Sequence, residues 1–331
     1  MNYFNYQPPM KILITGICGF IGNHLNRYIQ THHPNAEIWG IDNFISGDNL
    51  DGIDQTKFIR GDICDLDTFS TIPDVDYIFH LACPASPVFY NKFAIETMQT
   101  CSQGTANICV FMQHHKVYPV MVFTSSSEIY GNPTVHPQTE DYAGNVNVTH
   151  ARSLYAEGKR FAEALIGCMV REYKMDIRIA RLFNVYGSGM NLDDGRVISS
   201  FISSIDEDCD LIVYGGDEIS RTYCNVHDMV RMISALGFNK LLGEHIVMNL
   251  GSDNPLNELS NLTLANLMLK TAFKIKPNCK SNIIVKDKKP NDVIKRKPDL
   301  TIARSQLGND VMNTISILDS IPRLIIGSII S

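Results

Sequence analysis

Met10-Lys-Ile-Leu-Ile-Thr-Gly16-Ile-Cys-Gly19-Phe-Ile-Gly22 joins an apolar run of strand length to three glycines spaced by three, and a helical pattern follows to about His32. One glycine where the chain turns tightly, one where backbone meets a pyrophosphate and one where helix lies on strand make a dinucleotide loop. The free N–H groups of the helix N-terminus then face the phosphates. Three glycines at this spacing arise by chance about 0.1 times in a chain of this length, and their place between strand and helix sharpens the signal. Asp42 ends the next apolar run. A carboxylate there, about 20 residues past the loop, accepts from the adenosine ribose and repels a 2'-phosphate, which points to NAD rather than NADP. Asp48 adds no basic group to reverse that preference. Asp62, after the third run, is placed for the adenine side, and a lone Asp at a strand end serves equally as a helix cap.

Working outward, further short apolar runs appear at Glu37–Ile41, Lys57–Arg60, Asp76–His80, Val120–Phe123 and Ile177–Leu182. Helical patterns separate them at about Phe20–His32, Lys92–His115 and Ser153–Tyr173. Runs without polar alternation suit parallel strands covered on both faces, so the expected class is α/β, a doubly wound parallel sheet of Rossmann type. Beyond Gly187 the elements shorten, with loops at Gly215-Gly216, Asn254-Pro255 and Pro290, which predicts a smaller C-terminal α/β unit. The expected division is residues 1–185 for the dinucleotide and 186–331 for the substrate, discontinuous because His227–Phe238 and His245–Leu250 are apolar enough to rejoin the first sheet.

The 331 residues carry a formal net charge of -6 with 44% hydrophobic and 19% charged residues, which argues against a disordered chain or a nucleic-acid binder. The longest apolar stretch, Ile315–Ile330, is interrupted by Asp319, Pro322 and Arg323, so no membrane span is expected. The nine cysteines are odd in number and lack CxxC spacing, which suggests buried thiols in a reducing compartment and no metal site. His80 reads as a structural core histidine and His114-His115 as a helix end. The charge cluster Lys286–Lys297 reads as a solvated loop unless a ligand claims it.

Tyr155-Ala-Glu-Gly-Lys159 puts a phenol and an ammonium on one helix face. Such a lysine lowers a tyrosine pKa from near 10 towards neutrality and makes it a general base for an alcohol. Ser125-Ser-Ser-Glu128 stands at the carboxyl end of the fifth strand, where open α/β sheets place ligands. The glycine loop, the strand-end serine and the Tyr/Lys pair, in this order, resemble the extended short-chain dehydrogenase/reductase family acting on nucleotide sugars. Longer strings narrow the likeness: His80-Leu-Ala-Cys-Pro-Ala-Ser-Pro87, Ser127-Glu-Ile-Tyr-Gly131, His136-Pro-Gln-Thr-Glu-Asp141, Gly158-Lys-Arg160, Ala180-Arg-Leu-Phe-Asn184, Asp193-Asp-Gly-Arg-Val197 and Lys295-Arg-Lys-Pro-Asp299. From about Met10 to Leu307 they resemble the UDP-glucuronate decarboxylase branch. The similar 4,6-dehydratases carry Thr-Asp-Glu at the strand end, where this chain has Ser126-Ser127-Glu128.

The resemblance implies conversion of UDP-glucuronate to a UDP-pentose through a 4-keto intermediate, without net redox and with NAD retained. Tyr155 is then the base with Ser126 and Lys159 in its relay, Ser127 and Glu128 position the sugar, and Arg296 meets the carboxylate. Gly16, Gly19, Phe20, Ile21, Gly22, Asp42, Asn43, Asp62, Ile63, Leu81, Ala82, Tyr155 and Lys159 would hold NAD. Pro84, Ser86, Glu128, Tyr155, Asn184, Arg196, Arg221 and Arg296 would hold the nucleotide sugar, a fork of guanidinium donors suiting both diphosphate and carboxylate.

The chain departs from its relatives at Ile17 and Cys18, where Gly and Ala are usual, and a branched residue at 17 is unfavourable if the turn needs positive φ. Cys101 takes the place of a usual Asn, Ala143 of a Trp and His150 of a Gly, Ser188-Gly189 replaces Pro-Arg, and the tail after Leu307 lacks the usual Trp-x-Pro. A dehydratase or epimerase of the same family, or a catalytically impaired NAD-binding scaffold, therefore stay open. Relatives pair two helices, here near Lys92–His115 and Ser153–Tyr173, into a four-helix homodimer. Eukaryotic relatives carry a membrane anchor; with the first strand starting at about Met10, the cytoplasm is the expected compartment.

Overall fold

The computed structural model describes residues 9–150, 153–242, 247–289 and 292–330. The expected loop at Pro290, the first two residues of the expected strand His245–Leu250 and the polar segment before Pro9 lie outside the described residues. Seven parallel strands form one sheet: β1 (Lys11–Thr15), β2 (Glu37–Asp42), β3 (Phe58–Arg60), β4 (Tyr77–His80), β5 (Val120–Ser126), β6 (Ile177–Leu182) and β7 (Val247–Leu250), in spatial order β7-β6-β5-β4-β1-β2-β3. Ile12, Leu13 and Ile14 of β1 are all fully buried, as a strand covered on both faces requires. The order reverses at β1, so the carboxyl ends of β1 and β4 bound a crevice.

One face packs Ile12, Ile14 and Phe79 against Leu25 and Ile29 of α1 (Phe20–His32) and against Met229 and Ile233 of the helix Val226–Phe238. The other packs Leu13, Ile78 and Phe123 against Ile108, Met112, Ala162 and Ile166. β5 runs three residues past its apolar run because Thr124, Ser125 and Ser126 stay in register with Ala180, Arg181 and Leu182 of β6. This extension carries Ser126 to the mouth of the crevice.

The single helix expected over Lys92–His115 is instead divided into Pro87–Lys92, Ala94–Gln99, a wide π turn at Thr100–Gly104 and Thr105–Gln113. Thr97, Thr100 and Ser102 donate back to carbonyls four residues earlier, and Gly104 lies so close to Ile63 that a Cβ would sit 2.6 Å from its Cδ1. The remainder makes small ladders. Ser220–Thr222 pairs with Glu258–Ser260 and with Lys295–Arg296, and Leu211–Tyr214 pairs with Ile283–Lys286. A third core gathers Phe201, Ile202, Leu264 and Met268 with Ile317, Ile321 and Ile325 of the C-terminal helix, whose i, i+4 spacing seats the tail. Among the described residues no helix is long and apolar enough to cross a membrane.

Candidate active site

Gly16 adopts φ +73°, and a Cβ there would lie 2.8 Å from the Ala82 backbone; a Cβ on Gly22 would lie 2.0 Å from the Gly16 carbonyl oxygen. These two glycines are therefore required, the first by its backbone conformation and both by close approach. Ile17 is not in the left-handed region, which removes the objection to a branched residue there. Its side chain fills the space above Gly40, where a Cβ would sit 2.8 Å from Ile17 Cδ1 and Cγ2. α1 begins with Gly19 as an uncapped N-cap and no acidic residue in its first turn. The backbone start at Gly19, Phe20, Ile21 and Gly22 lines a cleft, so the unsatisfied amides of the first turn fit an anionic pyrophosphate.

The cleft has a volume of about 400 Å³ and runs from this loop past the carboxyl ends of β4 and β5 to the C-terminal ladders. A second cavity of about 60 Å³ adjoins it, sharing Gly16, Gly19, Ser46, Leu81 and Cys83. Of the residues expected to hold NAD, Asp42, Asn43, Asp62, Ile63, Leu81 and Ala82 line this smaller space. Asp42 accepts from the amides of Cys18 and Phe44, each at 2.9 Å, and burial raises its pKa. Asp62 accepts from the Cys64 amide at 2.8 Å and from Asn43 at 3.0 Å, so it caps the following turn and faces the cavity at once.

Ser126, Ser127, Glu128, Tyr155 and Lys159 converge on the larger cleft. Lys159 Nζ donates to the Thr124 carbonyl at 2.7 Å and lies 5.9 Å from the Tyr155 ring centre. The phenol of Tyr155 is buried beside this anchored ammonium. Burial drives the phenol well above its ordinary pKa, the Cys83 and Cys101 thiols push the same way, and a hydrogen bond with Ser126 and the charge of Arg196 oppose them.

Arg221 and Arg296 stand opposite each other in the ladder between Ser220–Thr222 and Lys295–Arg296. Arg296, 5% exposed at its side chain, grips Glu128 with two bonds of 2.7 and 3.1 Å. Arg221 donates to the carbonyls of Ser220, Val293 and Ile294, and burial with the facing Arg296 lowers its pKa to about 10. Asn184, held at φ +33°, donates to the Thr222 carbonyl at 3.1 Å. Ser86 caps the helix Pro87–Lys92, and Arg196 pairs with Asp194 at 3.6 Å. All five of Ser86, Asn184, Arg196, Arg221 and Arg296 line the larger cleft, whereas Pro84 lies on the smaller cavity beside the NAD candidates.

Sequence reasoning missed Tyr90, whose ring stacks on Tyr155 at 5.1 Å and 10°, and the carbonyl of Thr124 that holds Lys159. Tyr90 closely follows the string ending at Pro87, but no spacing announces a contact across 65 residues. His80 is buried between Thr15 and Thr105, and His115 accepts from the Val75 amide, so both serve structure.

Residues 12–251 match the model of the NAD dependent epimerase/dehydratase family. UDP-glucuronic acid decarboxylase 6 of Arabidopsis thaliana is 39% identical over 92% of this chain and 84% of its own length. UDP-glucuronic acid decarboxylase 1 of Danio rerio is 34% identical over 93% and 70%. Among solved structures, Thermotoga maritima UDP-glucose 4-epimerase with UDP-glucose superposes with a TM-score of 0.81 at 23% identity, covering 96% of this chain and 97% of that one. A Bacillus cereus UDP-glucuronic acid 4-epimerase variant with NAD and a fluorinated UDP-sugar gives 0.79 at 24%, covering 96% and 98%. At these identities the structural likeness speaks to the fold alone.

Proposed function

The chain belongs to the NAD dependent epimerase/dehydratase family, and within it we propose an NAD-dependent decarboxylase that converts UDP-glucuronate to UDP-xylose. The observation that carries this is the pair Ser127-Glu128 at the end of β5: Ser127 stands where the dehydratases carry Asp, and Glu128, held by the two terminal nitrogens of Arg296, completes a pair that epimerases lack. NAD, when bound, supplies the hydride acceptor and later the donor at sugar C4. Gly16, Gly19, Phe20, Ile21 and Gly22 would hold its pyrophosphate, and Asp42, Asn43, Asp62, Ile63, Leu81 and Ala82 its adenosine end. The part of the chain up to residue 185, with 226–250, forms the cofactor unit in this reading, and the rest of 186–331 holds the nucleotide sugar.

Tyr155 accepts the proton of the 4-hydroxyl, with Ser126 bonded to its phenol and Lys159 anchored beside it. A ketone at C4 is beta to the sugar carboxylate and takes up the electrons left by departing carbon dioxide as an enolate, which is then protonated at C5 before C4 is reduced. No general acid is needed to expel that group, which fits a serine at 127 where the dehydratases carry Asp. Arg296 exchanges Glu128 for the substrate carboxylate, and the freed Glu128, with Ser127, positions the ring. Arg221, Asn184, Arg196 and Ser86 take the nucleotide diphosphate, a role for which Arg221 keeps its charge despite a lowered pKa.

A homodimer and a cytoplasmic location belong to the same proposal. The helices Ala94–Gln99 and Ser153–Tyr173 pack together and expose Ile95 at 69% and Phe161 at 53%, apolar area of the kind a helical interface covers. The odd number of cysteines without CxxC spacing suits a reducing compartment.

Mass spectrometry of the purified, NAD-loaded protein incubated with UDP-glucuronate tests the activity. The expected products are carbon dioxide and UDP-xylose; formation of neither UDP-xylose nor a UDP-4-keto-pentose overturns the reading. Tyr155→Phe should lower turnover by about 10²–10⁴-fold with the far-ultraviolet circular dichroism unchanged.

A further inference from the structure

Two thiols meet at the junction of the two cavities. Cys83, in the loop after β4, lines both spaces, and its Sγ lies 3.6 Å from Sγ of Cys101 in the π turn Thr100–Gly104. The two residues are 18 apart in sequence and belong to different elements. From these positions we infer that Cys83 and Cys101 are a redox-modification site, a reversible disulfide that weakens NAD binding when the cleft is empty. The inference rests on NAD occupying this cleft and not on the identity of the sugar.

A disulfide needs sulfurs about 2.05 Å apart, so the pair must close by roughly 1.5 Å. Either sulfur can donate the shared proton, and Cys83 is the one that the cavity reaches. The hydrogen bond from Cys83 and the nearby Lys159 ammonium favour the thiolate on Cys101, while the proton it shares with Cys101 and burial push the Cys83 thiol up. Cys83 is nevertheless the sulfur that the cavity reaches, so the reacting form is the one in which the shared proton has moved to Cys101. The Cys83 thiolate then attacks a hydroperoxide: an S–O bond forms, the O–O bond breaks, and the leaving oxygen departs as water or alcohol after protonation. Cys101 then attacks the Cys83 sulfenic acid, the S–O bond breaks and a second water leaves. Two thiols lose two electrons and two protons, and the peroxide takes up both.

Closure strains parts that have no slack. The loop carrying Cys83 touches the cofactor turn, since a Cβ on Gly16 would lie 2.8 Å from Ala82 Cα. Cys101 packs on the backbone next to Lys159, since a Cβ on Gly158 would lie 3.2 Å from its Sγ. Bridging therefore pulls the wall of the NAD cleft against the helix bearing Tyr155. Bound NAD shields Cys83, which makes the empty protein the sensitive form.

The test exposes the full chain, with and without NAD, to near-stoichiometric hydrogen peroxide, blocks residual thiols with N-ethylmaleimide and maps linked peptides by mass spectrometry. The expected result without NAD is one Cys83–Cys101 link, a loss of NAD affinity of about tenfold, and recovery with dithiothreitol; bound NAD slows the reaction. Cys101→Asn restores the residue usual in relatives and should keep NAD affinity under the same exposure. A Cys64–Cys83 link, loss of both thiols without any link, or equal loss of affinity in Cys101→Asn overturns the inference. These readouts need no sugar substrate, so a protein that fails to decarboxylate UDP-glucuronate still decides the question.

Discussion

Ile17 shows how one side chain is made compatible with a glycine loop through a partner 23 residues away. The branched residue occupies the volume above Gly40, and the glycine is the accommodation. Gly40→Ala is expected to destabilise by about 1–3 kcal/mol through overpacking, and Ile17→Ala to cost about 2–5 kcal/mol through a cavity. Combined, the two should cost less than their sum, which urea unfolding of the four proteins measures; strict additivity would show that the two side chains do not share the space. At the other end of the cleft, Arg296→Gln should reduce kcat/KM for UDP-glucuronate by about 10²–10³-fold, because a buried charge-assisted fork is lost. Arg296→Lys keeps the charge and tests the fork; recovery of wild-type kinetics in that variant would argue against bidentate binding.

At the scale of elements, His80 ties β4 to β1 and to the helix Thr105–Gln113 through bonds to Thr15 at 2.9 Å and Thr105 at 3.3 Å. Burial lowers its pKa to about 3 from an ordinary 6.5, so the folded chain keeps the ring neutral while the unfolded chain takes up a proton. The unfolded state then binds more protons between those values. The stability tied to this group is complete above about pH 6.5 and is lost as pH falls towards 3, at up to about 1.4 kcal/mol per pH unit. His80→Gln retains a donor and an acceptor but does not titrate. Unfolding free energies between pH 6.5 and 4 should fall less steeply in this variant than in the parent, and equal slopes would remove His80 from the account. The π turn is the element that the apolar pattern concealed. A pattern of buried residues reports that a segment is helical, but the extra residue at Thr100–Gly104 comes from local hydroxyl bonds and from Gly104 against Ile63.

For the whole molecule, the proposed dimer makes a direct prediction. Ile95→Glu combined with Phe161→Glu places two charges on the exposed face of the paired helices and should shift the protein to a monomer in sedimentation velocity. A parent that already sediments as a monomer would dismiss the interface. The parallel α/β class and the seats of most strands were legible because fully apolar runs of four to six residues, separated by helical periodicity, have few other solutions. The extent of β5 was not legible, because Thr124–Ser126 are polar and are held by ladder bonds to β6 rather than by hydrophobicity.

The sequence by itself determined where a dinucleotide loop must lie, since only glycine tolerates both the φ of +73° at Gly16 and the approach of Gly22 to its carbonyl. It also brought Tyr155 and Lys159 onto one helix face, because that spacing is a local property of the helix. Tertiary structure alone decided that Arg221 faces Arg296 across 75 residues, that Arg296 is held by Glu128, and that Cys83 meets Cys101. It also buried the Tyr155 phenol against Tyr90. The physical reason is common to all of these: strand register, desolvation and contact between distant elements depend on what surrounds a residue after the chain has closed, and no local spacing encodes that surrounding.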